Sequence, residues 1–265
     1  MTSRLLPLDG AQNVRDIGGY RSVFGPEVAW GRVLRGDALS RLTRVDVTRL
    51  GDRGLRTVVD FRTPGEILLG GTDRLPPGVA AVSLPVAGGE LGAFSDLIES
   101  GEHGLQEEVL GAGRAADFMI QTYRGFVADP RQRDRFGAAL RMIADPAYGR
   151  PFLYHCTSGS HRSGWMTALL LTAAGVPRAA VVDDYLLSND FHRAAYAKLS
   201  LDLARTGLMS DPGLLRPVLE LSPAYLDAAM EEAWRRYGSF GAFLAGGLGV
   251  SEALLASVRD ALFAL

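Results

Sequence analysis

Along this chain the spacing of apolar residues changes repeatedly, and the changes mark out strands alternating with helices. Residues 13–20 alternate in polarity up to the paired glycines Gly18 and Gly19, as a strand entering a turn does. Residues 31–35 read as the partner strand, giving an N-terminal hairpin. Leu42, Val45 and Leu50 recur at helical spacing behind Thr43, a natural N-cap. The β-branched run 57–61 predicts a buried strand; residues 63–66 then open a helix or loop, and 79–84 form another strand. Residues 87–113 are rich in glycine and weakly periodic, and they read as a mobile excursion containing a short helix. Two amphipathic helices follow over 115–126 and 131–144.

A short apolar strand over 151–155 then runs straight into a glycine-containing loop. A strongly apolar helix over 163–174 ends at Gly175 and Pro177, and 176–188 form the next helix. From about Asn189 the pattern is nearly all helical, broken at 211–213, 222–223 and 246–247. Strands interleaved with helices predict an α/β fold with a mainly parallel central sheet flanked by helices. The expected organisation is a single domain over 1–265 with a helical C-terminal lid or subdomain. Segments at about 87–114 and 190–235 are the candidate lid elements.

Composition narrows the function classes. The 265 residues are 47% hydrophobic and 22% charged, enough for one large core. With 28 basic and 30 acidic residues the net charge is −2, so no basic field points to nucleic acid. No run of about eighteen apolar residues predicts a membrane span; residues 240–250 are apolar but short and broken by glycine. Residues 1–10 lack the basic and apolar regions of a secretory signal, and the lone cysteine forms no internal disulfide. Both point to the cytoplasm.

That cysteine lies in the most informative stretch, His155-Cys156-Thr157-Ser158-Gly159-Ser160-His161-Arg162-Ser163-Gly164. Cysteine and arginine stand six residues apart between a buried strand and a helix start. A lone cysteine is ordinarily a small buried hydrophobe. Here the context predicts a nucleophile. A loop wrapped ahead of a helix directs backbone N–H groups inward, where they and the helix dipole favour a thiolate and bind a phosphate dianion. Thr157, Ser158, Gly159, Ser160, His161 and Arg162 make up this phosphate cradle, with Gly159 allowing the loop to curl. Arg162 offers a planar fork to two phosphate oxygens, a geometry lysine does not match. The Ser163 hydroxyl is placed to donate to the cysteine sulfur as it leaves, and His155 to orient the loop.

With these residues the chain resembles the bacterial tyrosine/serine phosphatase family, relatives of the dual-specificity phosphatases, over almost its full length. Asn13-Val14-Arg15-Asp16-Ile17-Gly18-Gly19 is similar to that family's Asn-hydrophobic-Arg-Asp-hydrophobic-Gly-Gly opening, and Arg35-Gly36-Asp37-Ala38-Leu39-Ser40 to its Arg-Ser-x-x-Leu segment. Asp60-Phe61-Arg62-Thr63 with Glu66 resembles its Asp-Leu-Arg-Ser/Thr-x-x-Glu motif, and Asp184-Tyr185-Leu186-Leu187-Ser188-Asn189 a helix common behind the catalytic loop. The family's loop usually reads His-Cys-x-x-Gly-Lys-Asp-Arg-Thr-Gly, so Ser160 replaces a lysine and His161 an aspartate. Losing the lysine removes a positive charge from the pocket rim and weakens the case for multiply phosphorylated inositol lipids.

The resemblance implies a cysteine-dependent phosphomonoester hydrolase working through a phosphocysteine, with no metal or organic cofactor. Its substrate is a phosphoprotein or a small-molecule phosphate such as a nucleoside or sugar phosphate. A non-catalytic phosphate-binding module is the alternative, which intact Cys156 and Arg162 disfavour; redox or arsenate chemistry would need a resolving cysteine. Two residues compete for general acid: His161, if its ring faces the pocket, and Asp60, which otherwise holds Arg162 or the loop. Arg62 and Glu66 read as an ion pair fixing their turn, and Arg15 and Asp16 as ties between hairpin and catalytic loop. His103 and His192 lack the company of metal ligands, although His192 is placed to line the pocket mouth.

Overall fold

The structure is a computed structural model that describes residues 4–88 and 91–263. Five strands form one sheet in the order β1-β2-β5-β3-β4: β1 Arg15–Asp16, β2 Val33–Gly36, β3 Thr57–Asp60, β4 Ala80–Ser83 and β5 Phe152–His155. Only β1 runs antiparallel to its neighbour. β2, β3 and β5 are buried along their whole length, whereas β4 at the edge is largely exposed, as expected for a parallel sheet covered on both faces.

Alternation sorts the side chains of these strands between two apolar layers. Leu34, Val58 and Leu153 face a smaller cluster with Leu39, Leu42 and Leu50, the last on α1 (Arg44–Asp52). Val33, Val59, Phe152 and Tyr154 face the main core with Tyr123, Phe126, Phe136 and Trp165. Helices α5 (Arg114–Ala128), α6 (Pro130–Ala144) and α7 (His161–Ala173) supply those aromatic residues. Twelve of the thirteen residues of α7 are buried, so its sequence is apolar nearly all round rather than striped. The C-terminal helices α10 (Pro223–Tyr237), α11 (Phe240–Ala242) and α12 (Glu252–Phe263) complete this layer, Tyr225 lying 5.7 Å from Tyr123 between ring centroids.

Two short helices are set by capping boxes. Thr43 and Asp46 cap α1, and Thr63 and Glu66 cap α2 (Pro64–Gly70), each threonine hydroxyl accepting the third N–H while the acid accepts the threonine's own. The expected excursion after β4 is mainly helical: a 3-10 turn at Leu91–Phe94, α3 (Ser95–Glu99) and α4 (His103–Leu110). Residues 89 and 90 of that segment lie outside the described residues.

The helix predicted to stop near Ser188 instead runs on as α8 (Arg178–Arg205). Nothing between its ends is glycine or proline, so no local signal breaks the backbone ladder. A 3-10 turn at Pro212–Leu215 and α9 (Arg216–Leu219) then cross back toward α5. Among the described residues no single helix is long and apolar enough to cross a membrane; the apolar Phe240–Gly247 segment meets α12 at a bend of 105°.

Strand register decides where the chemistry sits. Gly36 and Asp60 both pair with His155, so the ends of β2, β3 and β5 lie side by side. The segments that follow them, beginning at Asp37, Phe61 and Cys156, leave the same carboxyl edge, where open α/β sheets bind ligands.

Candidate active site

Cys156 follows β5 directly and is buried, 1% exposed. Its sulfur accepts a hydrogen bond from the Ser163 hydroxyl at 3.3 Å. The loop between them is held from outside by its carbonyls. The Thr157 oxygen accepts from Ala38 N–H at 3.1 Å, and the Ser158 oxygen from Asn13 Nδ2 at 3.0 Å and His192 Nε2 at 2.7 Å. The Gly159 oxygen accepts from Arg35 Nη2 at 2.7 Å, and the Ser160 oxygen from Gly164 N–H at 2.8 Å. In a planar trans peptide the N–H points opposite to the carbonyl. With the Thr157, Ser158 and Gly159 carbonyls turned to the scaffold and that of Ser160 opening the ladder of α7, the N–H groups of Ser158, Gly159, Ser160 and His161 point the other way, that of Ser160 meeting the Ser158 hydroxyl at 3.4 Å. N–H groups gathered ahead of a helix in this way favour an anion.

Gly159 is required for the curl. Its φ is +70°, and a Cβ there would lie 2.5 Å from the Gly36 carbonyl carbon and 2.6 Å from the Asp37 nitrogen. No other residue type lets the loop pack this closely against the end of β2.

Arg162, on the first turn of α7, is 1% exposed. Its two terminal nitrogens meet the Glu66 carboxylate at 2.7 and 2.5 Å, and Nη1 also donates to the Val86 oxygen at 2.9 Å. The Thr157 hydroxyl donates to the same carboxylate. Burial alone would raise the Glu66 pKa, but the hydrogen bonds and charge of Arg162, with the Thr157 bond, hold it down at about 2. Glu66 therefore both caps α2 and aims the guanidinium of α7.

This corrects two expectations. Arg162 is held by Glu66 rather than by Asp60, and Arg62 pairs with Asp60 and Asp73 rather than with Glu66. Arg62 donates to both Asp60 oxygens and, through Nη2, to Asp73 at 2.8 Å. Asp60 is the nearer carboxylate in sequence, and side chains two apart on the turn after β3 meet there.

His155 completes the network beneath the loop. Its Nε2 lies 2.8 Å from Asp73 Oδ2 and its Nδ1 3.2 Å from the Cys156 oxygen. Both neighbours can only accept, so both ring nitrogens carry protons. Although burial disfavours the charged ring, the Asp73 hydrogen bond and the Asp60 and Asp73 charges raise its pKa. Asp60, Asp73 and His155 bring ligand atoms within 4.8 Å of one another. The guanidinium of Arg62 already supplies the cation there, so an ion-pair network is the fitting description.

His161 is turned into the protein. Its Nε2 donates to the Val218 oxygen at 2.9 Å, and its Nδ1 accepts from the Tyr123 hydroxyl at 3.2 Å, which in turn takes the Tyr185 proton at 2.6 Å. Burial, joined by the charge of Arg162, pushes its pKa down to about 4. The condition for its service as an acid, a ring facing the pocket, is not met. His192 is also buried and carries the Ser158 carbonyl, whereas His103 contacts the Gly207 oxygen on the surface.

Behind the loop, Asp184 on α8 joins the hairpin to the sheet. It binds Arg35 Nη1 at 2.9 Å, Arg15 Nε at 3.4 Å and the Tyr20 hydroxyl at 3.0 Å. Burial raises its pKa, yet the two arginines more than offset that and hold it ionised. Arg15 also reaches the Asn13 carboxamide, so the hairpin meets the loop through Asn13 and Arg35. Asp16 instead caps its own turn, accepting from Gly18 and Gly31 N–H.

Several of these roles had no local signature. Asp73 and Tyr123 sit in unremarkable stretches of sequence. Asn13, Arg35 and Glu66 stood inside recognisable motifs, but their partners lie far along the chain.

Comparison with known proteins places this geometry. A profile described as the tyrosine phosphatase family matches residues 6–264. A protein of Cupriavidus necator named as a tyrosine-protein phosphatase is 31% identical over 260 residues, covering 94% of this chain and 86% of that protein. The triple specificity protein phosphatase PtpB of Mycobacterium tuberculosis is 30% identical over 285 aligned positions, covering 99% of each chain. The chain thus belongs to the tyrosine phosphatase family and is a phosphoric monoester hydrolase.

Proposed function

We propose that catalysis runs through a phosphocysteine formed on Cys156. The N–H groups of residues 158–161 and the guanidinium of Arg162 bind the phosphoryl oxygens, and the grip tightens as charge spreads over them in the transition state. The thiolate attacks phosphorus, the S–P bond forms, and the P–O bond to the leaving group breaks. Water then attacks the phosphocysteine, inorganic phosphate departs, and the sulfur leaves as a thiolate steadied by the Ser163 hydroxyl 3.3 Å away. That Ser163–Cys156 contact carries the reading, since a module that only bound phosphate would need neither group.

Proton delivery to the leaving oxygen falls to Asp60 rather than His161. Asp60 ends β3 beside His155 and keeps a side chain 12% exposed, whereas both nitrogens of His161 are engaged within the protein.

The relatives' names support a phosphoprotein among the substrates, and a small phosphate ester such as a nucleoside or sugar phosphate is the second class. Helices within 190–235 form part of the site wall and are the stronger lid candidate, because His161 and His192 tie that region to the loop. The 87–114 segment is the second. A catalytic thiolate suits the reducing cytoplasm.

The test is phosphate release from p-nitrophenyl phosphate, phosphotyrosine peptide, phosphoserine, nucleotides and sugar phosphates, with Cys156→Ser alongside. Turnover abolished by that substitution is expected; turnover that survives it would overturn the mechanism.

A further inference from the structure

A cavity of about 460 Å³ opens between the middle of α8 and the turn leading through α9, bordered by Asn189, Arg193, Tyr196, Arg216, Leu219 and Glu220. Its walls are tied to the catalytic loop and to each other. The Val218 oxygen takes the Nε2 proton of His161. Asn189 clasps Leu221, donating to its oxygen at 2.9 Å and accepting from its N–H at 2.7 Å.

Tyr196 stands where cavity and loop meet. Its ring stacks on His192 with centroids 5.0 Å apart, and His192 holds the Ser158 carbonyl. Its phenol lies within electrostatic reach of the Ser158 and Ser160 hydroxyls and of Cys156. Ser160, which replaces the lysine of related loops, is only 1% exposed, and its hydroxyl meets the Tyr196 phenol.

The border also carries two guanidinium groups, each paired with a carboxylate at the surface. Arg193 is paired with Asp190, and Arg216 with Glu220 at 2.8 Å. All four side chains are at least 42% exposed. Exposed pairs of this kind are worth little, so either arginine can turn from its partner to a ligand anion at small cost.

We infer that this cavity is the leaving-group subsite and that Ser160, Tyr196, Arg193 and Arg216 select phosphomonoesters whose leaving group carries a second anionic group. The inference rests on the phosphatase reading above, and it names the substrate class for that site. The scissile phosphate sits in the loop, the body of the leaving group lies against Tyr196 and Leu219, and its carboxylate or second phosphate meets the arginines.

Affinity tests this without turnover. The Cys156→Ser chain is titrated calorimetrically with phenyl phosphate, 4-carboxyphenyl phosphate and 1,4-phenylene bisphosphate. At least one acid-bearing ester should bind about tenfold more tightly than phenyl phosphate, and the better of the two identifies the anion. Adding Arg193→Gln and Arg216→Gln together should cut that advantage below about threefold, and Tyr196→Phe should reduce it partially. Equal affinities in the parent, or an advantage that survives the double substitution, overturns the subsite. Hydrolysis of p-nitrophenyl phosphate by the intact chain is scored separately. Its absence with the advantage retained would sink the phosphocysteine mechanism and leave the subsite standing, and its presence with equal affinities would do the reverse.

Discussion

Glu66→Gln is the sharpest single perturbation of the catalytic loop. The carboxylate meets both terminal nitrogens of Arg162, at 2.7 and 2.5 Å, and has a side chain only 10% exposed. Its pKa is held at about 2 against an ordinary 4.5, and a fall of that size is worth about 3 kcal/mol. Glutamine keeps the shape and one acceptor oxygen but loses the charge and one arm of the fork. A loss of about 2–3 kcal/mol in stability is expected, at the lower end of the cost of breaking a buried pair. Glu66 is a positioning residue, so kcat should fall about 10- to 100-fold, with KM moving less, because the Arg162 grip strengthens in the transition state. Denaturant unfolding at several pH values adds a second readout. A depressed carboxylate contributes stability that is complete above about pH 4.5 and is lost as pH falls through about 2. The gap between wild type and variant should therefore be flat from pH 5 to 8 and narrow below pH 4. Equal midpoints at pH 7, or a gap that widens on acidification, would refute the assignment.

The pKa of buried His161 is pushed down to about 4 from 6.5, so the unfolded chain takes up its proton first and stability should fall by up to about 3 kcal/mol as pH drops from 6.5 to 4. His161→Gln should lose less over that window in urea titrations, and an identical pH slope would argue against a neutral buried ring. The same variant should lose turnover equally for aryl and alkyl phosphates, whereas Asp60→Asn should lose more on the poorer alkyl leaving groups; the reverse pattern in a leaving-group series would return the acid role to His161. Gly159→Ala introduces a Cβ at φ +70° and 2.5 Å from the Gly36 backbone, so it should cost about 2–4 kcal/mol by thermal unfolding and abolish turnover. Wild-type melting would show that the loop is not packed against β2 as described.

Much of this molecule was legible in its sequence, and the legible parts share a physical character. Thr43 announced its helix as an N-cap because such a bond is satisfied within four residues, whereas 63–66 read equally as helix or loop. The runs 57–61 and 151–155 read as strands because burial on both faces demands continuous apolar or β-branched residues. The loop from Cys156 to Ser163 between strand and helix was readable because its residues are contiguous. What failed was long-range. Glu66 was assigned to Arg62, four residues away, yet it belongs to Arg162, and the strand register that sets Asp60 beside His155 brings them together. His161 was a candidate acid by its place in the loop, but Val218 and Tyr123, on distant helices, turned its ring inward. The sequence alone determined the elements and the reactive loop, because periodicity, capping and loop curl are local energetic preferences. The tertiary structure alone decided which charge meets which and which way a side chain faces, because those depend on packing between segments whose separation no local preference encodes.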